Sequence, residues 1–372
     1  TYTATTTDND SAGFTLSATT ATVTEAGGAG NTATFTVVLD AEPASNVVIT
    51  VESGDTGEAT VAPASLTFTA ANWNSAQTVT VTGADDNIID VDTQSTITMS
   101  IDDDNSDNNF DALDNQTYTA TTTDNDSAGF TLSANTGTVT EAGGAATFTV
   151  VLDAQPDSDV VVSVTSGDTG EATVSAAELT FTNGNWDTPQ TVTVTGVDDT
   201  LADGSQSTTI TMSVKDASSD DNFDALADQT VSATTTDNDT AAFTLGAISG
   251  TVAETGTTAT FTVVLGAQPD SDVVISVTSG DTGEATVSAA ELTFTNGNWS
   301  TPQTVTVTGV DDNIIDGSIN TTITMAIDTA SSEDNYDGVA SQTVTATTTD
   351  DDTAAFTLGA ISGTVAETGT TA

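Results

Sequence analysis

Carboxylates at repeated positions are the residues of this sequence best suited to chemistry. Two aspartates, Asp85 and Asp86, stand side by side, and Asp90 follows them. Adjacent carboxylates repel each other unless a cation lies between them. The chain has 55 acidic residues against one basic residue, Lys215, so no arginine or second lysine can take that role. Hard oxygen ligands in this number are typical of Ca²⁺, which takes about six to eight oxygens.

The candidate calcium ligands recur in four segments of each of three units: an early glutamate, a middle aspartate, an aspartate pair with a downstream acid, and a closing aspartate run. In the first unit they are Glu25, Asp55, Asp85, Asp86, Asp90, Asp124 and Asp126. In the second they are Glu141, Asp168, Asp198, Asp199, Asp203, Asp237 and Asp239. In the third they are Glu254, Asp281, Asp311, Asp312, Asp316, Asp350 and Asp352.

The placement of the acids separates two explanations of the acidity. Outward strand positions are mostly Thr and Ser, whereas the acids collect in loops. This favours metal binding over a solvated acidic surface, although it is compatible with a saline habitat. A second acidic stretch occurs at residues 107–111, 220–224 and 333–337. We interpret it as a solvated loop anchored by its aromatic residue, with an additional cation site as the alternative.

Composition excludes several function classes. The chain has no Cys and no His, so disulfides, thiolate and zinc sites and histidine acid–base catalysis are ruled out. A net charge of -54 repels nucleic acid and anionic membrane surfaces. No segment approaches the length of a membrane span. Disorder, which such a charge also suggests, is disfavoured by a hydrophobic fraction of 36% in a regular pattern.

The acidic loops are separated by short alternating segments. Residues 78–82 have the sequence Thr-Val-Thr-Val-Thr, which recurs at 191–195 and 304–308. The period of two predicts strands whose valines face a core while the threonines face water. About seven such strands per unit, with Gly, Asp and Asn turns and no convincing helix, predict an all-β fold. We expect tandem immunoglobulin-like antiparallel β-sandwiches in a linear array.

An internal repeat sets the domain organisation. The phrase Phe-Thr-Leu returns at intervals of 116, 113 and 113 residues, beginning at Phe14, Phe130, Phe243 and Phe356. The predicted complete repeats are residues 11–126, 127–239 and 240–352. We interpret residues 1–10 as the last strand of a preceding repeat and residues 353–372 as the first strand of a following one. The chain is therefore expected to be an internal segment of a longer protein, in which a missing export signal is uninformative.

Taken in order, these motifs resemble the Calx-beta domain. The resemblance rests on Val-x-Glu-x-Gly-Gly before a Thr-Phe-Thr-Val strand, the Gly-Asp-Thr-Gly loop, Thr-Val-Thr-Val-Thr-Gly-x-Asp-Asp, and a closing Asp-x-Asp. It covers nearly the whole chain. It implies a seven-stranded immunoglobulin-like sandwich with calcium ions in loops at one end, beside the linker to the next repeat. Two departures are the missing Asp-Tyr in the middle loop and a closing run that is Asp-Asn-Asp in most copies.

These observations predict a non-enzymatic structural segment of an extracellular fibre or a bacterial-type cell-surface adhesin, rigidified by calcium at the junctions between repeats. The expected partners are calcium, neighbouring repeats and, in a filament, identical chains. Nucleic acid and membrane insertion are not expected.

Two alternatives remain open. One is a carbohydrate- or partner-binding module that uses an exposed Trp73, Trp186 or Trp299, although one Trp per repeat is more typical of core packing. The other is a spacer attached to an enzyme elsewhere in the full chain. Paired carboxylates can hydrolyse glycosides, but identical acids in every repeat fit a repeated metal site better than three active sites.

Overall fold

The structure is a computed structural model that describes residues 1–7, 9–28 and 30–363. Nine strands form in each repeat. The first repeat contains β1 (Phe14–Leu16), β2 (Thr20–Thr24), β3 (Thr32–Leu39), β4 (Val47–Ser53), β5 (Ala59–Ala62), β6 (Ser65–Phe68), β7 (Gln77–Gly83), β8 (Thr93–Ile101) and β9 (Gln116–Thr123). The second contains β10 (Phe130–Leu132), β11 (Thr136–Thr140), β12 (Ala145–Leu152), β13 (Val160–Ser166), β14 (Ala172–Val174), β15 (Glu178–Phe181), β16 (Gln190–Gly196), β17 (Gln206–Val214) and β18 (Gln229–Thr236).

The third repeat follows the same order. It contains β19 (Phe243–Leu245), β20 (Ser249–Ala253), β21 (Thr257–Leu265), β22 (Val273–Ser279), β23 (Ala285–Val287), β24 (Glu291–Phe294), β25 (Gln303–Gly309), β26 (Ile319–Ile327) and β27 (Gln342–Thr349). Single turns of 3₁₀-helix lie at Asp103–Asn105, Asp216–Ser218, Asp221–Phe223 and Asp334–Tyr336. Among the described residues, no helix combines the length and the apolar character needed to span a membrane.

Each repeat is a sandwich of two sheets, which confirms the predicted all-β array. In the first repeat one sheet has the order β1-β3-β7-β5 and the other β2-β9-β8-β4-β6. The second repeat has the same two sheets. In the third, β20 pairs with both β21 and β27 and so joins the two sheets at one edge. All strand pairs are antiparallel except β2 with β9 and its two counterparts, which are parallel.

The strand count differs from the expected seven because two strands of each repeat change sheets. The first divides into β1, which pairs with β3, and β2, which pairs with β9. The middle one divides into β5, which pairs with β7, and β6, which pairs with β4. The two crossing strands supply the edge strands of both sheets, β1 and β5 in one and β2 and β6 in the other, and short edge strands of this kind limit pairing with other chains. Each half alternates on its own, and the inward positions change from even to odd numbers between β1 and β2. This alternation does not show which sheet each half joins.

The core lies between the two sheets of each repeat, as the period of two predicts. Val79 and Val81 are 0% exposed. Phe35 stacks on Tyr118 with ring centroids 4.4 Å apart. Trp73 is partly buried against this core, and the tryptophans of the other two repeats pack in the same way. The tryptophans thus contribute to core packing, and no described tryptophan forms an exposed platform for sugars.

We call the loop after the seventh strand of each repeat its junction loop; the three junction loops are residues 84–92, 197–205 and 310–318. The first two contact the repeat that follows them. Ile88 forms a parallel bridge with Gln155 of the second repeat, whose N–H donates to the Asn87 carbonyl (2.6 Å). Leu201 forms the same bridge with Gln268 of the third repeat. The same short pairing therefore orders both junctions of the linear array.

The described residues near the two ends of the chain lie outside the sandwiches. Residues 1–7 and 353–363 form no strand, and residues 364–372 lie outside the described residues. Their assignment to neighbouring repeats stays a prediction.

Candidate metal centres

A buried glutamate follows the second strand of every repeat. Glu25, Glu141 and Glu254 are 2%, 1% and 2% exposed. The backbone N–H of Asn125 donates to Glu25 Oε2 (3.4 Å), and that of Asn238 to Glu141 Oε2 (3.1 Å). These bonds tie the end of the second strand to the loop after the ninth. Each glutamate is thereby held at the end of its sandwich that carries the junction loop.

Carboxylate oxygens from different loops meet around each buried glutamate. Within each set, one oxygen per residue lies within 4.8 Å of the others. The sets are Glu25 with Asp124 and Asp126, Glu141 with Asp199 and Asp239, and Glu254 with Asp312 and Asp352. The third repeat has two further sets, Glu254 with Asp311 and Asp351, and Glu284 with Asp312 and Asp316. Each repeat therefore carries an acidic cluster that could hold an ion.

The aspartate pair is held by bonds within and between loops. The second member caps its own turn: Asp86 Oδ1 accepts the Ile88 N–H at 2.8 Å, and the other two repeats make the same turn. The first member is held by the middle residue of the closing run. The Asn125 side-chain amide donates to Asp85 Oδ1 (3.1 Å), and that of Asn238 donates to Asp198 Oδ1 (2.8 Å). In the first two repeats, one oxygen of each pair member is thus held by a hydrogen bond.

Burial and like charge raise the proton affinity of the clusters. Burial raises the pKa of Glu25 to about 7, and the charges of Asp86, Asp124 and Asp90 add to the effect. Burial likewise raises the pKa of Asp90 and of Asp203, with neighbouring aspartates contributing. A full set of negative charges at such a site is unfavourable unless a cation or a proton joins it.

Several cluster oxygens are buried without a hydrogen-bond partner among the described residues, although buried polar groups are normally paired. They are Glu58 Oε2, Asp126 Oδ2, Glu171 Oε2, Asp203 Oδ1, Glu254 Oε2 and Asp352 Oδ2. The only ion pair within the described ranges, Lys215 with Glu178 at 2.8 Å, is half-exposed and involves no cluster residue. Unpaired oxygens from three loops form an all-oxygen donor set of the kind that fits Ca²⁺.

Sequence reasoning missed one buried glutamate per repeat. Glu58 and Glu284 are each 8% exposed, and burial raises the pKa of both. Glu171 is partly buried, and its pKa is raised by burial and by the charge of Asp203. The signal was present, because a glutamate ends the Ser-Gly-Asp-Thr-Gly-Glu phrase in every repeat. Asp351, which replaces the asparagine of the closing run, was missed as well.

The middle-loop aspartates lie outside the oxygen sets. Asp55, Asp168 and Asp281 are exposed, and each accepts the N–H of the glycine two residues later, at 2.8–3.0 Å. They contribute negative charge beside Glu58, Glu171 and Glu284. Each of these aspartates caps its own turn. The glutamate three residues later is therefore the better candidate for a cluster residue.

The first aspartate of the closing run has different surroundings in the first repeat than in the other two. Asp237 Oδ2 accepts the Gly204 N–H (2.7 Å), and Asp350 accepts the equivalent bond (2.8 Å). Gly204 has φ 75°, a conformation that glycine adopts without a Cβ clash. The first repeat has Val91 at this place, and there the corresponding acid, Asp124, belongs to the oxygen set instead. The three clusters are therefore similar but not identical.

The second acidic stretch has a structural role in the first repeat. Asp107 is 6% exposed and accepts the backbone N–H groups of Ala44 (2.6 Å), Ser45 (3.1 Å) and Asn109 (3.0 Å). These bonds, chiefly that from Asn109, lower its pKa. Phe110 beside it is 2% exposed. The anchoring aromatic is as expected, but the key aspartate is a buried cap rather than a solvated group.

Replacing Asp107 with Ala is expected to destabilise the first repeat by about 2–3 kcal/mol, because three amides lose a charged acceptor. The folded-state pKa lies below the ordinary 3.8. The ionised group therefore stabilises the fold above about pH 4, and this contribution is lost as the pH falls through the folded-state pKa. The measurement is urea unfolding followed by Trp73 fluorescence, with Trp186 and Trp299 replaced by Phe. Asp104→Ala, at an exposed position, is the control, and an equal loss in both variants would contradict the role of Asp107.

Comparison with known proteins gives one family. The model of the Calx-beta domain matches residues 7–127, 123–241 and 236–352. No curated protein sequence matches the chain. Among solved structures, domains 4–9 of the surface layer protein SbsC are 18% identical, with a TM-score of 0.27, over 85% of this chain and 42% of that one. This chain thus spans less than half of that structure.

Two further solved structures match the chain. The calcium binding domain CBD12 of CALX1.1 is 13% identical, with a TM-score of 0.25, over 54% of this chain and 79% of that one. Extracellular cadherin domains 1–4 of protocadherin gamma B7 are 8% identical, with a TM-score of 0.32, over 92% of this chain and 76% of that one. With these low scores, the family assignment rests on the family model.

Proposed function

The chain belongs to the Calx-beta domain family, and from this premise we propose that it is a non-enzymatic structural segment of an extracellular fibre or cell-surface adhesin, held straight by calcium. Calx-beta domains are binding and structural modules without catalysis of their own. Three of them in tandem make an extended shaft, and its partners are calcium and the neighbouring repeats.

The junction loop carries this proposal, because it serves two contacts at once. In the first repeat, Asp85, Asp86 and Asp90 face the acidic cluster, while Asn87 and Ile88 between them pair with the next repeat. An interaction that fixes the conformation of the junction loop therefore also fixes its contact with the next repeat. Without a cation, repulsion among the carboxylates favours loop conformations that separate them, and the pairing with the next repeat is weakened.

The residues proposed to hold calcium are the oxygen sets around Glu25, Glu141 and Glu254, supported by the aspartate pairs and by Glu58, Glu171 and Glu284. Bound calcium supplies positive charge that offsets the repulsion among these groups. Extracellular calcium modules bind with dissociation constants of about 10⁻⁴–10⁻³ M. We expect a similar affinity for these sites, which would keep them filled at millimolar calcium.

Small-angle X-ray scattering tests the proposal directly. Residues 1–372 in millimolar calcium are expected to scatter as a long, stiff particle, because three sandwiches succeed each other in line. Excess chelator is expected to shorten the maximum dimension and to add the signature of a flexible ensemble, since the junction loops lose their counter-charge. Magnesium at the same concentration is the ionic control, because Mg²⁺ prefers a stricter octahedron and keeps more of its water.

A scattering profile that is the same in calcium and in chelator would contradict the proposal that calcium stiffens the shaft. The clusters would then be better explained as solvating charge. A profile that stiffens equally in magnesium would reduce the effect to screening of the net charge.

A further inference from the structure

The third junction loop exposes two apolar side chains whose equivalents in the other two junction loops are buried or partly buried. Ile314 and Ile315 are 60% and 57% exposed. The equivalent Ala202 is 4% exposed and belongs to the buried core cluster of the third repeat. The equivalent Ile89 is partly buried against the core of the second repeat. The first two junction loops are thus covered by the repeat next along the chain, which accounts for the difference in exposure.

The surface that receives each loop is the turn between the third and fourth strands of the next repeat. This turn begins Ala-Gln-Pro in the second and third repeats, at residues 154–156 and 267–269. Ala154 and Ala267 are 0% and 1% exposed, whereas Ala41, the equivalent in the first repeat, is only partly buried. The turn is therefore buried more deeply where a junction loop precedes it.

Backbone bonds fix the register of this contact. At the second junction the Ala202 N–H donates to the Gln268 carbonyl (3.0 Å), and the Gln268 N–H donates to the Thr200 carbonyl (2.7 Å). The Thr200 hydroxyl also donates to Gln268 Oε1 (2.6 Å). In the third junction loop, Asn313 and Ile315 stand where Thr200 and Ala202 stand in the second. No carboxylate takes part in these bonds.

A second group of exposed apolar residues lies in a segment that matches the start of a repeat. Phe356, Leu358 and Ile361 are 83–86% exposed. Residues 353–372 reproduce residues 240–259 letter for letter. In the third repeat, the phenylalanine of this sequence, Phe243, is 1% exposed and lies in the core. The exposed apolar side chains of residues 353–363 are therefore those that a repeat with the sequence of the third packs in or against its own core.

We propose that Ile314 and Ile315 form a docking surface for the Ala-Gln-Pro turn of a further repeat, placed in tandem after the third along the same chain. The Ile315 N–H donates to the glutamine carbonyl of that turn, and the glutamine N–H donates to the Asn313 carbonyl. The two isoleucines pack on the alanine and proline. This inference goes beyond the calcium proposal and does not rest on it, because the contact is made by backbone and apolar groups.

The test extends the chain by one repeat. Appending a second copy of residues 260–352 after residue 372 completes a fourth repeat, because residues 353–372 already supply its start. Hydrogen exchange at the Ile315 amide is compared in chains of three and four repeats, with calcium and with chelator. We expect exchange at least about tenfold slower in the longer chain, as for an amide in a stable hydrogen bond.

Two variants isolate the contact. In the four-repeat chain, Ile315→Asp is expected to abolish the protection, because it places a charge against the apolar turn. Ile315→Ala is expected to keep it, because alanine occupies this place at the second junction. Circular dichroism checks that both variants stay folded.

Equal exchange of the Ile315 amide in the two chains, under both conditions, would overturn the proposal. So would unchanged protection in Ile315→Asp. Protection that appears in the three-repeat chain and grows with protein concentration would assign the surface to a second copy instead. Calorimetry measures calcium binding separately, so a chain that binds no calcium but still protects the Ile315 amide would contradict the calcium proposal and support this one.

Discussion

Neutralising Glu141 and Asp199 together, with Glu141→Gln and Asp199→Asn, is expected to abolish calcium binding at the second repeat and leave the other two unchanged. Both carboxylates belong to the oxygen set completed by Asp239. Loss of outer-sphere partners alone costs about 10–100-fold in metal affinity, so loss of two ligands is expected to cost more than about 100-fold. Isothermal titration calorimetry should show that the number of calcium ions bound per chain falls by the number bound to one repeat.

The same double variant is expected to raise the free energy of unfolding in chelator and to lower it in calcium. In chelator it is expected to be more stable than the original chain, because it removes like charges from a buried cluster. In calcium at about 100 times the dissociation constant it loses about 2.7 kcal/mol of ligand stabilisation. The matched control is Asp187→Asn with Asp228→Asn, which removes two charges at exposed positions of the same repeat. An undiminished calcium stoichiometry would exclude Glu141 and Asp199 as ligands.

Replacing Gly196 with Ala is the second change with a large expected effect. A Cβ at Gly196 would lie 2.2 Å from the Thr140 carbonyl oxygen and 2.8 Å from its carbon. Both are backbone atoms at the end of β11, next to Glu141, so the strand itself must shift. Overpacking of this kind costs about 1–3 kcal/mol. Because the strand carries the buried glutamate, calcium affinity of the second repeat should fall as well.

Urea unfolding with Trp186 as the probe measures the stability loss, and calorimetry measures the calcium affinity. Gly184→Ala is the control, since the nearest heavy atom to its Cβ would be 3.9 Å away. Gly83 and Gly309 make the same close approach as Gly196, at 2.3 and 2.2 Å. Equivalent substitutions should therefore act equally on their own repeats. Equal stability and affinity of Gly196→Ala and Gly184→Ala would show that this approach does not position the cluster.

The fold was predictable because its signals are local and occur three times. The alternation in residues 78–82 predicts which side chains are buried, and Val79 and Val81 are fully buried. The crossing of β1 into β2 was not predictable, because the pattern of alternation is the same whichever sheet receives the strand. The single tryptophan of each repeat packs on its core, as a fixed position in every copy indicates.

The candidate site was predictable as a set of loops and less so as a set of ligands. The early glutamate and a closing aspartate lie close together in each repeat. Asp55 does not join an oxygen set, whereas Glu58 three residues later is buried among charges. Asp55 caps its own turn. The sequence alone does not distinguish an aspartate that caps a turn from one that binds a metal.

The sequence by itself determined the repeat, the all-β class and the loops in which acids collect, because these depend on composition and on short periods along the chain. Only the tertiary structure decided which acids lie together and how one repeat contacts the next. Glu141 and Asp239 are far apart along the chain, and their approach depends on the parallel pairing of β11 with β18. The pairing of Ile88 with Gln155 likewise depends on two separately folded repeats. Such contacts between distant segments leave no period in the sequence, since they are set by how sheets and repeats pack.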